Sequence, residues 1–160
     1  MKRLRPACLL AVAPLALSAQ APAWQPQVAA VWSEAQGGLK DVTSEHALGL
    51  LVGAQVQENP QGALRVFAEY RRVFSGDSRY SLADAGFDLT GAINGPLYGF
   101  IGTSAERIHL PRRDPATKLG WRGGMGWSLS QRFGLEATYT TASLDHRSVN
   151  SLDFSLRVTF

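Results

Sequence analysis

Regular alternation of apolar and polar side chains constrains this chain more than any other feature. It is cleanest in the closing stretch SLDFSLRVTF. There Leu152, Phe154, Leu156, Val158 and Phe160 take every second position, and Asp153, Ser155, Arg157 and Thr159 take the rest. Successive side chains of an extended strand point to opposite faces, so this segment has one apolar face and one polar face. A helix would scatter both sets around its axis.

The same pattern recurs. Eight segments read as strands: Val28–Gln36, Glu45–Val56, Ala63–Arg72, Arg79–Thr90, Leu97–Glu106, Lys118–Leu129, Phe133–Ser143 and Ser151–Phe160. The third sets Leu64, Val66, Ala68 and Tyr70 against Arg65, Phe67, Glu69 and Arg71. The sixth sets Leu119, Trp121, Met125 and Trp127 against Gly120, Arg122, Gly124 and Gly126, and the seventh sets Phe133, Leu135, Ala137 and Tyr139 against Glu136, Thr138 and Thr140. The first, fourth and fifth are less regular, and PLYGFIG accepts either phase. Proline cannot donate to a sheet ladder, and Pro60, Pro96, Pro111 and Pro115 all fall between the proposed strands. ENPQG, GAINGP and SQRF make tight connections. GGLKDVTS, VFSGDS, RIHLPRRDPAT and LDHRSVN make longer, more charged ones.

The formal charge of +3 resides in Lys2, Arg3 and Arg5; the remaining 13 Lys and Arg match 13 Asp and Glu. A neutral body of this kind lacks the basic footprint of a nucleic-acid binder. The three cations precede the apolar run PACLLAVAPLAL and the small residues of SAQAPAW. That order specifies a secretory signal peptide over residues 1–20, cut at about residues 18–23, with a barrel domain over 24–160. The run is shorter than the roughly 20 apolar residues a membrane helix needs. The single cysteine, Cys8, lies inside it, so the exported chain is expected to hold neither a disulfide nor a thiolate metal site.

Eight antiparallel strands make a sandwich, a soluble calyx binding an apolar ligand, or a membrane barrel. Three features favour an eight-stranded antiparallel transmembrane β-barrel, an all-β up-and-down meander. An even strand number with alternating short and long connections is the pattern of transmembrane barrels. The polar faces carry glycines and opposite charges: Arg65, Arg71, Arg122 and Arg157 against Glu69, Asp84, Asp88, Glu136 and Asp153. An eight-stranded lumen is just wide enough to be filled by such side chains, and charges there must be paired. Aromatic residues such as Trp121, Trp127, Tyr70, Tyr139 and Phe133 stand on the apolar faces toward strand ends, as at a membrane interface.

The signal peptide, eight alternating strands and final FSLRVTF resemble the small outer-membrane barrels of the OmpA/OmpX type. The resemblance implies a bacterial outer-membrane location in a Gram-negative cell, a monomer, and a structural or surface-interaction role set by extracellular loops. It also implies that Phe154, Leu156, Val158 and Phe160 form the signal read by the barrel-assembly machinery. Outer-membrane lipid and lipopolysaccharide are the expected partners, and no cofactor is implied.

Two stretches bear on chemistry. In DHRSVNSLD, His146 and Ser148 share a face of extended backbone and Asp153 follows, the ingredients of a Ser-His-acid site. The stretch is also similar to the outer-membrane lipid A deacylases of the PagL type, which carry His-x-Ser-Asn and a later Glu. Val149 stands where that pattern has Asn. The bland reading is a polar hairpin, and lipid A hydrolysis is the alternative. In RIHLPRRDPATK, Arg107, Arg112, Arg113 and Lys118 are candidates for contact with lipopolysaccharide phosphates. His46 and His109 have no metal-ligand spacing around them, and the glycines of GWRGGMG alternate with large side chains rather than opening a helix.

Overall fold

The computed structural model describes residues 24–40, 46–59, 61–73, 80–110, 114–144 and 147–160. The proposed signal peptide lies outside them. Eight strands form: β1 (Gln25–Gln36), β2 (His46–Asn59), β3 (Gly62–Arg72), β4 (Ser81–Asn94), β5 (Leu97–His109), β6 (Ala116–Ser128), β7 (Phe133–Leu144) and β8 (Arg147–Thr159). A single helical turn, α1 (Gly37–Lys40), follows β1. Each strand pairs antiparallel with its predecessor, and β8 returns to β1 to close the barrel.

Closure uses the terminal stretch directly. Val28 faces Val158, Trp32 faces Phe154, and the amide of Phe160 donates to the carbonyl of Pro26 at 2.9 Å. A closed ring leaves no unpaired sheet edge, the condition for strands in hydrocarbon.

At one end of the barrel the connections are residues 60–61, 95–96 and 129–132. Gly95 sits there with φ +54°, a conformation glycine adopts without steric cost. The opposite, loop end carries residues 37–45, 73–80 and 110–115, and also a shorter connection than expected. LDHRSVN reads as a long loop, but Leu144 pairs with Arg147, so only residues 145–146 join β7 to β8. The alternation in that stretch is merely masked by polar residues on both faces.

Register settles the phases that periodicity leaves open. Tyr98, Phe100 and Glu106 face the lumen from β5, while Leu97, Ile101 and Arg107 face out. In β4, Leu82, Asp84 and Asp88 face in and Phe87 and Leu89 face out; in β1, Ala29, Val31 and Ser33 face in and Val28 and Trp32 face out. Bulges between Gln55 and Gln57 and between Ala92 and Asn94 shift the pairing by one residue near the turn end, so Val56 leaves the phase of Val52.

The interior is layered. At the loop end Ala35, Ala47, Val73, Tyr80, Leu82, Ile108, Leu110, Ala142 and Val149 pack into an apolar plug. Below it lies a layer of charged side chains. Outside, the large apolar residues stand exposed: Ile101 is 62 % accessible, Trp121 58 % and Leu50 54 %. This polarity is the reverse of a soluble calyx, whose apolar face would line the interior.

Candidate functional site: the lumen lattice and the outer rim

Four guanidinium groups organise the lumen. Arg71, 1 % exposed, reaches Asp153 at 2.7 Å, Glu69 at 3.1 Å and Asp84 at 3.2 Å. Arg122 lies 3.4 Å from both Glu69 and Asp88. Arg65 bonds Asp88 at 3.1 Å and also donates to Glu136, which lies 3.1 Å from Arg157. The nine residues Arg65, Glu69, Arg71, Asp84, Asp88, Arg122, Glu136, Asp153 and Arg157 therefore form one connected lattice. Alternation places all of them on the inner face, and the shared carboxylates join the pairs into chains.

Uncharged groups complete the lattice. Asp153 accepts from the hydroxyls of Ser33, Thr140 and Ser151, the latter two at 3.1 Å. The Tyr98 hydroxyl donates to Glu136 and accepts from Arg157 at 2.8 Å. Three guanidiniums lie on aromatic faces, Arg122 4.1 Å from the Phe67 ring centre, Arg65 4.8 Å from that of Phe100 and Arg157 5.3 Å from that of Tyr98. Desolvated contacts of this kind contribute about 2 kcal/mol each. Glycine makes the room: a Cβ on Gly120 would sit 1.8 Å from a Glu106 oxygen, and one on Gly126 would sit 2.1 Å from the Tyr98 ring.

Glu106 is the least supported carboxylate. It is 2 % exposed, accepts from Ser104 at 3.4 Å, and stands in register between Asp84 of β4 and Lys118 of β6. A cavity of about 10 Å³ remains among Gln27, Phe67, Arg65, Arg122 and Glu136, room for about one water. Toward the turn end the lumen widens into a polar vestibule lined by Gln25, Gln27, Gln55, Glu58, Arg132 and Arg157.

Phase-blind reading of the fifth strand misses Tyr98, Phe100 and Glu106. Demanding that Glu106 face the other charges would have fixed the phase and brought both rings inward. Thr140 and Ser151 share the phase of Glu136 and Asp153, whereas Ser33 in the irregular first strand carries no comparable signal, since a hydroxyl suits either face.

The remaining candidates separate. Ser148 lies in β8, exposed and outward-facing, five residues from the inward-facing Asp153. They occupy opposite faces, about 17 Å apart along the strand. Every oxygen of Asp153 is already engaged within the lumen, so it does not orient a site built on Ser148; His146 lies outside the described residues. Arg107 faces out, whereas Lys118 pairs in register with inward-facing Glu106 and so takes the lumen side; Arg112 and Arg113 lie outside the described residues. Phe154, Leu156 and Val158 alternate outward on β8, and Phe160 is 75 % exposed at its end.

No protein-family model matches the chain, and no curated protein matches it in sequence. Solved structures do match in shape. Neisserial surface protein A (NspA) superposes with a TM-score of 0.54 at 17% identity, over 86% of this chain and 97% of that one. Ail, the attachment invasion locus protein of Yersinia pestis, solved in complex with the heparin analogue sucrose octasulfate, gives 0.59 at 14% identity, over 86% and 99%. The N-terminal β-barrel domain of Pseudomonas aeruginosa OprF gives 0.61 at 10% identity, over 85% and 97%. At these identities the likeness is one of architecture: the chain has the fold of the small eight-stranded outer-membrane β-barrels.

Proposed function

We propose that this chain is an integral outer-membrane β-barrel protein of a Gram-negative-type bacterium, with a structural or surface-interaction role. One observation carries the reading: the barrel is apolar outside and ionic inside. Leu50, Ile101 and Trp121 are more than half exposed while Arg71 and Asp153 are buried, an arrangement stable only where hydrocarbon bathes the wall. The chain is exported through the signal peptide over 1–20 and delivered to the barrel-assembly machinery by Phe154, Leu156, Val158 and Phe160. Its lumen, filled by the paired charges and the apolar plug, does not conduct. Termini lie on the periplasmic side and the loop end faces out, where its connections set any partner.

Fractionation and gel mobility test this. The mature chain should remain with outer membranes through carbonate and urea washes, and should migrate differently before and after boiling. Recovery of folded protein in the periplasmic soluble fraction would overturn the reading.

A further inference from the structure

The outer wall changes character along β4. Its outward positions from the loop end are Ser81, Ala83 and Ala85, and the run ends at Phe87. In register, Ser81 stands between Arg72 of β3 and His109 of β5. Ala83 stands between Tyr70 and Arg107, and Ala85 between Ala68 and Ala105. Small side chains flanked by Tyr70 on one strand and Arg107 on the other leave a shallow groove, floored by methyl groups and closed below by the Phe87 ring. From Ser81 to Phe87 it runs about 20 Å.

Cations are confined to the upper end of this groove. Arg72 and Arg107 are exposed, and among the described residues neither has a carboxylate partner, whereas the four lumen arginines all do. An arginine at a membrane interface has no reason to lose water unless an anion replaces it. Guanidinium groups hold phosphate bidentately, and the Ser81 hydroxyl lies between the two flanking strands to add a further hydrogen bond.

We propose that this groove holds one phosphorylated lipid of the outer leaflet, with an acyl chain along Ala83 and Ala85 and its phosphate between Arg72 and Arg107. The assignment rests on the membrane reading above, which turns the loop end outward. It also moves phosphate recognition from the connection RIHLPRRDPATK to the wall, keeping Arg107 alone of the two described candidates, since Lys118 faces in. The alanines let the chain lie close, so dispersion contacts add along the groove while the guanidiniums select the headgroup.

Native mass spectrometry of the refolded full barrel in detergent tests the proposal, with lipid A (a bisphosphorylated glycolipid) and its fully dephosphorylated form as probes. The parent should retain lipid A at least tenfold better than the dephosphorylated form. R72Q/R107Q should lose about tenfold or more of that retention. A85F, which fills the groove with the cations intact, should lose several-fold, and R132Q, at the turn end, should match the parent. Equal retention by R72Q/R107Q and the parent, or equal retention of both probes, would overturn the groove. The heat-dependent gel shift, scored on the same samples, separates the two readings. Barrels that fold and insert yet ignore the phosphate refute the groove alone; a parent that never inserts refutes the membrane reading beneath it.

Discussion

Two layers of the same lumen reach density by opposite means. At the loop end the interior is hydrocarbon: Val73, Ile108 and Leu110 fill the space with Tyr80 and Leu82. One layer lower it is ionic, with Arg71 alone touching three carboxylates. The apolar layer tolerates error locally, because a truncated side chain leaves a void whose cost scales with its size. The ionic layer is less forgiving, because removing one partner strands the others without water. A narrow barrel thus gains its tightness in one layer from shape and in the other from charge matching.

The largest break in that comparison is Arg71→Met, which keeps side-chain length but removes the cation from Glu69, Asp84 and Asp153. Denaturant unfolding in lipid vesicles, followed by tryptophan fluorescence, should show a loss of about 3–5 kcal/mol. A loss below about 1 kcal/mol would mean that water reaches these carboxylates and the layer is not sealed. Next comes Ile108→Ala in the plug, 1 % exposed in the parent, with an expected loss of about 2–4 kcal/mol by the same assay. A negligible change there would show the loop end to be loosely packed. Smallest is Tyr98→Phe, which removes the hydroxyl shared by Glu136 and Arg157 while keeping the ring, and should lose about 1 kcal/mol. If it matched Arg71→Met, the hydroxyl rather than the guanidiniums would be the organising group.

Much of the architecture was legible because the strand period is two and Pro60, Pro96, Pro111 and Pro115 fall between strands. The third, sixth and seventh strands carry their phase openly, since Leu64, Val66 and Tyr70, then Leu119, Trp121 and Trp127, then Leu135 and Tyr139 stand outward while Arg65, Glu69, Arg122 and Glu136 sit inward. The first strand does not, because Val28 faces lipid while its neighbours Ala29 and Val31 face the lumen core, and all are small or medium apolar residues. The β7–β8 connection reads as longer than it is for the complementary reason: Ser148 and Asn150 are polar on the outward face. The pairing of Ser148 with Asp153 looked plausible as a string and fails as a strand, since an odd separation sends them to opposite sides.

By itself the sequence determined that the chain forms alternating strands, that charges gather on one face of them, and that the last strand is apolar on the other. Those are properties of neighbours two residues apart. The tertiary structure decided which carboxylate meets which guanidinium, that Tyr98 and Phe100 join them, and that Arg72 and Arg107 flank the small residues of β4. Such meetings depend on the stagger between strands, on the bulges at Gln55 and Ala92, and on the closure of β8 against β1. Until the ring closes, residues far apart in sequence share no register, and no local pattern can fix who faces whom.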